Sequence, residues 1–162
     1  RMPAAVRLGE SDAVQAAKEL RFPVAVDWVG GRRVRAAVTG KPEVEIATPP
    51  EFKGTDAGVW SPEDFLVAAA ASCFTVTFLA VAERRAVPVR NVTVDAVGRM
   101  GIGDDGRMGF LGIDLTARIA TDGGFERAVV EAADRAEQGC FVSQALSIPV
   151  RLETLVRTAA AA

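Results

Sequence analysis

The stretch that decides the fold runs from Ser61 to Arg85, "SPEDFLVAAAASCFTVTFLAVAERR". Ser61 reads as a helix N-cap, and Pro62 takes the first helical position, where its missing N–H costs nothing. Glu63 and Asp64 complement the positive end of the helix. Glu83, Arg84 and Arg85 close it, and Pro88 prevents continuation. Phe65 to Ala82 carries no charge, which reaches the lower limit of a membrane span. Ser72, Cys73, Thr75 and Thr77 put polar atoms in its middle, however, and the flanking chain alternates like a soluble sheet. The expectation is therefore a fully buried central helix and no membrane.

Upstream, "DAVQAAKEL" (Asp12 to Leu20) reads as a short helix capped by Ser11, within an N-terminal extension over residues 1–21. "PVAVDWV" (Pro23 to Val29) alternates as a half-buried strand does. Gly30 and Gly31 mark a tight turn, and "RRVRAAV" continues as the hairpin partner. "EVEIAT" (Glu43 to Thr48) is a third strand, and "PPEFKGTDAGVW" a loop rich in proline and glycine. Downstream, "NVTVDAVGRM" and "RMGFLGIDLTARIAT" are long strands joined by the turn "GIGDDG". "FERAVVEAADRAEQ" is an amphipathic helix with Ala128, Val129, Ala132, Ala133 and Ala136 on one face. Gly139 interrupts it, "CFVSQAL" makes one or two further turns, and "IPVRLETLVR" is a last strand. Thr158 to Ala162 reads as a disordered tail.

The order is thus βββ-α-ββ-α-α-β over a single domain, residues 1–162. Strands and helices come in blocks, which implies an α+β fold with mostly antiparallel pairing around the long helix.

Composition narrows the chemistry. Of 162 residues, 49% are hydrophobic and 25% charged, an ordinary globular balance with a formal net charge of −2. No basic cluster suggests nucleic acid as a partner. The opening "RMPAAVRLGESD" lacks the apolar core of a signal peptide, so a reducing cytoplasm is expected. Histidine is absent, which removes Ser–His and Cys–His nucleophile pairs and His-containing zinc sites. Tyrosine is absent too. Polar chemistry therefore falls to the two cysteines, Cys73 and Cys140, with carboxylates, arginines and hydroxyls. From its helix alone, Cys73 reads as core packing.

Two motifs change that reading. "SPEDFLVAAAASCF" resembles the Asn/Ser-Pro-Glu…Ala-Ala-x-x-Ala-Cys-Phe helix of the OsmC/Ohr family, the osmotically inducible protein C and organic hydroperoxide resistance proteins. "GCFVSQAL" resembles that family's Gly-Cys-Pro-x-Ser motif, with Phe141 in place of the proline. The element order matches from about Phe22 to Arg157. The resemblance, to the OsmC-like branch, implies an OsmC-like fold and an intertwined homodimer with shared active sites that reduces organic hydroperoxides. By position, Cys73 falls on the peroxidatic cysteine, Cys140 on the resolving one and Glu63 on the carboxylate of the helix start. An arginine that assists the thiolate matches Arg32 in "VGGRRV", with Arg33 as the alternative. No bound cofactor is implied; an external dithiol of lipoyl type would be the reductant.

Attack on an O–O bond needs a thiolate, and apolar burial opposes one unless a cation holds the anionic form. Arg32 is the candidate cation, with Glu63 to orient it. Glu63 and Cys73 lie roughly 15 Å apart along one helix, at about 1.5 Å per residue. Either Arg32 spans that gap or two antiparallel helices about a two-fold bring Glu63 of one chain to Cys73 of the other. A sulfenic acid on Cys73 would then condense with Cys140. Trp60, Phe65, Phe74, Phe78 and Phe141 are candidates to line a pocket for an apolar substrate. Two other readings stay open: a non-catalytic binding protein for a small apolar ligand at the dimer interface, and a thiol redox sensor.

Overall fold

The computed structural model describes residues 19–159. The element order is β1 (Ala25–Gly30), β2 (Arg33–Ala37), β3 (Val44–Ala47), α1 (Pro62–Arg84), β4 (Asn91–Ile102), β5 (Met108–Thr121), α2 (Glu126–Gln138), α3 (Phe141–Ala145) and β6 (Val150–Thr158). A single 3-10 turn at Pro50–Phe52 interrupts the loop before α1. This is the α+β order read from the sequence. The helix expected over Asp12 to Leu20 falls mostly outside the described residues, as do residues 160–162. Thr158 belongs to β6 rather than to a tail, because its hydroxyl donates to Glu126 at 2.7 Å.

The strands form two separate three-stranded sheets, β1-β2-β3 and β4-β5-β6. Pairing is antiparallel except between β5 and β6, which run parallel because α2 and α3 cross over between them. In the first sheet, Gly30 and Gly31 both take positive φ, 126° and 55°, which the tight β1–β2 turn demands. Register then places Val26 and Trp28 beside Ala36 and Val34, and those beside Val44 and Ile46. That face is apolar. The opposite face carries Asp27, Arg35, Glu45 and Arg33.

In the second sheet, Val92, Val94 and Ala96 pair with Ile119, Ala117 and Leu115, and these with Val156, Thr154 and Leu152. This inner face meets α1 and α2 to form the core. The outer face is held by ion pairs, Arg118 with Asp95 and Arg99 with Asp114 at 2.6 Å. α2 buries Val129, Ala132, Ala133 and Ala136, the stripe its periodicity marks.

α1 begins in a full capping box: Ser61 Oγ accepts from the Asp64 N–H at 3.1 Å and Asp64 Oδ2 accepts from the Ser61 N–H at 2.8 Å. It ends with Val87 N–H donating to the Ala82 carbonyl at 2.9 Å, while Ala86 sits at φ 52°, in the left-handed region. Phe74 and Phe78, four residues apart, are fully buried and stacked, with centroids 6.3 Å apart. Each contributes about 1.5–3 kcal/mol by leaving water.

The expectation of a fully buried α1 is corrected. The helix is long and apolar enough to cross a membrane, yet only 28% of its most apolar window is buried. The reason is geometric: the second sheet and α2 cover one flank of a helix that is apolar all round. Leu79 on α1 remains exposed, as do Val26 and Trp28 on the first sheet.

Two substitutions test the ends of α1 with opposite signs. Ser61→Ala removes the cap and lowers unfolding free energy by about 1 kcal/mol. Ala86→Gly relieves the left-handed residue and raises it by about 1 kcal/mol. Urea unfolding of both variants at one protein concentration measures the two shifts.

Candidate functional site

Cys73 lies midway along α1, at the edge of its buried face, and is half-buried. Directly opposite stands the junction between α2 and α3. Gly139 ends α2, its N–H donating to the Arg135 carbonyl at 3.0 Å. A Cβ on Gly139 would lie 3.3 Å from the Arg135 carbonyl oxygen and 3.8 Å from the Thr77 methyl. The tight approach is thus to the last turn of α2 itself, while Thr77 of α1 lies at ordinary contact distance. Cys140 follows as the N-cap of α3, fully buried, and its carbonyl accepts from Gln144 N–H at 3.0 Å. The Gln144 side chain donates back to the Gln138 carbonyl, which ties α3 to the end of α2.

This arrangement aims donors at one sulfur. Burial pushes the Cys73 thiol up. Against it act the nearby backbone N–H groups of Val142 and Phe141, the Cys140 thiol and the Thr77 hydroxyl, which favour the thiolate. Together they hold Cys73 below the ordinary cysteine range. Among the described residues no side-chain cation takes part. Both cysteines are free thiols, and they are neighbours across the contact between α1 and the α2–α3 junction.

The other residues singled out from sequence sit elsewhere. Glu63, in the first turn of α1, lines a cavity of about 730 Å³ with Trp60, Val67, Gly98, Met100 and Phe110. Its Oε2 is buried without a hydrogen-bond partner among the described residues. Arg32 is exposed and donates to the Phe52 carbonyl at 3.1 Å. Arg33 pairs with Asp56 at 2.5 Å and with Glu45 at 3.3 Å; the Asp56 bond and charge raise the guanidinium's pKa and lower that of Asp56. Within one chain, then, neither arginine reaches Cys73. Both stay on the first sheet and its adjoining loop.

The five aromatics do not share a pocket. Phe74 and Phe78 are core, because their phase on α1 points them into the second sheet. Trp60 belongs to the Glu63 cavity and packs on Phe65 with centroids 5.3 Å apart. Phe141, 82% exposed, lies beside Cys73. Sequence reasoning missed Thr77 and the two α3 amides. Thr77 is four residues after Cys73, so helical spacing alone marks it as a same-face neighbour. Backbone N–H groups leave no trace in residue identity.

The family model described as OsmC-like protein matches residues 54–154, which span α1 and both cysteines. No curated protein matches in sequence. Among solved structures, an OsmC-like protein of Vibrio cholerae aligns at 19% identity over 85% of this chain and 100% of its own, with a TM-score of 0.77. An organic hydroperoxide resistance protein of Elizabethkingia anophelis, with crystallant-derived thiocyanate bound, aligns at 21% identity over 88% and 99%, TM-score 0.70. One from Legionella pneumophila aligns at 21% identity over 86% and 98%, TM-score 0.69. At these identities the likeness carries the fold.

The surroundings of Cys73 have a direct readout. Its alkylation rate by iodoacetamide, followed against pH by peptide mass spectrometry, rises with thiolate content and inflects at lower pH than that of an unperturbed cysteine peptide. Thr77→Val removes one donor to the thiolate and moves the inflection upward. An inflection in Thr77→Val equal to that of the unsubstituted protein would show that the hydroxyl does not act on the sulfur.

Proposed function

Because the chain belongs to the OsmC-like protein family, we propose that it is a thiol peroxidase for organic hydroperoxides, using Cys73 and Cys140. One observation carries this reading: the chain's two cysteines stand together where α1 meets the α2–α3 junction, Cys140 as the buried N-cap residue of α3 and among the groups that favour the Cys73 thiolate. The names of the Elizabethkingia and Legionella proteins, both organic hydroperoxide resistance proteins, point the same way.

The chemistry balances in three steps. The Cys73 thiolate attacks the terminal peroxide oxygen; the S–O bond forms, the O–O bond breaks, and the alkoxide takes a proton and leaves as an alcohol. The Cys140 thiol then condenses with the sulfenic acid, releasing water and forming the disulfide. An external dithiol, of lipoyl type, reopens the bridge by exchange and is itself oxidised to a disulfide. A reducing cytoplasm suits a cycle that starts from two free thiols.

A second copy of the chain completes the fold in this reading. The apolar face of the first sheet and the uncovered flank of α1 need cover, and a homodimer supplies it. Two α1 helices packed antiparallel would bring the Glu63 and Arg32 end of one chain toward Cys73 of the other. The orphaned Glu63 Oε2 is then available to orient a guanidinium from either arginine. Removal of a buried carboxylate's partner is costly, which makes such a pairing favourable on assembly.

A second reading is favoured by the Glu63 cavity itself. Its volume and its Trp60, Met100 and Phe110 walls suit a small apolar ligand. A binding protein would retain uptake of such a ligand in Cys73→Ser, without peroxide consumption.

The deciding experiment adds one equivalent of cumene hydroperoxide to reduced protein, counts free thiols and maps bridges by peptide mass spectrometry. Both thiols should be lost into a Cys73–Cys140 disulfide, faster than with hydrogen peroxide. Cys140→Ser should stop at a sulfenic acid that dimedone traps, and Cys73→Ser should not react. Two thiols surviving for many minutes would sink the enzyme reading. Sedimentation at micromolar concentration should give a dimer; a monomer would remove the shared site.

A further inference from the structure

Cys73 and Cys140 meet in a setting that bears on more than peroxides. Gly139 and Phe141 flank Cys140, and both lie against the turn of α1 that follows Cys73. A Cβ on Gly139 would stand 3.8 Å from the Thr77 methyl, and Phe141 shares a groove of about 420 Å³ with Val76 and Thr77. Thr77 is one turn beyond Cys73, so α1 presents that sulfur where the chain passes through Cys140. Cys140 is fully buried in the apolar core, and half-buried Cys73 packs against that core. Two reduced thiols thus lie together with one side dry and the other open.

What surrounds the pair narrows what it can hold. The chain has no other cysteine and no histidine, and among the described residues no group of three ligating side chains exists. Zinc, which takes four ligands in a structural site, is poorly served there. Nor does a side-chain cation act on Cys73 among the described residues. Arg84, which closes the far end of the groove with Arg135, is roughly 16 Å farther along α1 at about 1.5 Å per residue. A singly charged soft ion such as copper(I) between two thiolates leaves a net negative charge, which a dry site without a cation opposes. A centre that two thiolates render neutral meets no such cost. Trivalent arsenic carrying one carbon group is such a centre. It is soft and pyramidal, and it holds two sulfurs at nearly a right angle, close together as neighbouring thiols already stand. Its third substituent leaves toward the open side of Cys73.

We propose that the reduced Cys73–Cys140 pair is a binding site for monosubstituted organic arsenicals of arsenic(III), closed as a two-sulfur chelate. For an arsenoxide R–As=O the step is a condensation. Two S–As bonds form, the arsenic–oxygen bond breaks, and the two thiol protons leave with the oxygen as water. Arsenic stays trivalent and both sulfurs keep their oxidation state, so the step needs no oxidant or reductant. The proposal goes beyond the peroxidase reading and does not depend on it, since it asks only that the two thiols be reduced and within reach. Where both hold, the chelate occupies the two sulfurs that peroxide reduction uses, and each reagent excludes the other.

The test titrates the reduced full chain with phenylarsine oxide under nitrogen and reads intact mass and free thiols. One phenylarsenic per chain should be taken up with loss of both thiols from the count, and excess 2,3-dimercaptopropanol should restore them. Cys73→Ser and Cys140→Ser should each bind about a hundredfold more weakly, the advantage that a second, linked bond supplies. Either variant binding as tightly as the unsubstituted protein overturns the chelate, and so does uptake that leaves one thiol free. A check without substitutions alkylates both thiols first; such protein should take up no arsenical, and undiminished uptake overturns the site. Excess zinc chloride should leave both thiols open to iodoacetamide, and protection by zinc equal to that by the arsenical overturns the argument from charge and ligand number. Cumene hydroperoxide is run alongside on the same preparation. Arsenical uptake without reaction toward the peroxide sinks the peroxidase reading alone, whereas oxidation by the peroxide without arsenical uptake sinks this proposal alone.

Discussion

A helix that is apolar on every side must be covered on every side, and one chain covers α1 on one flank alone. Phe74, Phe78 and Ala70 are pressed into the second sheet, and Val81 and Ala82 are buried beyond them. Leu79 looks the other way, into solvent, while the first sheet stands apart with Trp28 74% exposed. The division into two unjoined sheets follows from that imbalance. One sheet exhausts the cover available within the chain, and the other offers an apolar face with nothing of its own to bury.

Cys73 sits where those two regimes meet. Toward the core its helix is dry; on the other side it is open. The end of α2 meets α1 at that boundary beside Thr77, and Cys140 follows as the N-cap residue of α3, next to Cys73. A thiol one residue on, at the phase of Phe74, would be an inert filler raised by burial. At the edge, burial is partial and amide donors reach the sulfur. The surroundings of the sulfur are thus a consequence of helix phase and of where α2 ends.

The same helix also separates what the sequence motif joins. Glu63 and Cys73 belong to one recognisable stretch, yet rise per residue places them at opposite reaches of the site region. Each end has acquired its own surroundings: a cavity with an orphaned carboxylate oxygen at one, thiols and an arginine-ended groove at the other. Arg32 and Arg33 line neither and are engaged by the Phe52 carbonyl and by Asp56 and Glu45.

Periodicity and punctuation made the elements legible. The capping box at Ser61, the stop at Pro88, the glycine turn at Gly30 and Gly31 and the α2 stripe are local features, set by residues within a few positions of one another. Cys140 at a helix break was legible for the same reason. Partners were not. Phe74 and Phe78 looked like pocket walls until their phase against the second sheet assigned them to the core, and within one chain Arg32, in the β1–β2 turn, bonds the Phe52 carbonyl and not the Cys73 sulfur. By itself the sequence determined where backbone hydrogen bonds close locally, and therefore which elements exist and in what order. Only tertiary structure decided which face of α1 is buried, which amides meet Cys73 and which arginines stand near it. Those contacts join residues far apart in the chain, and no local energy term distinguishes one such pairing from another until the core has packed.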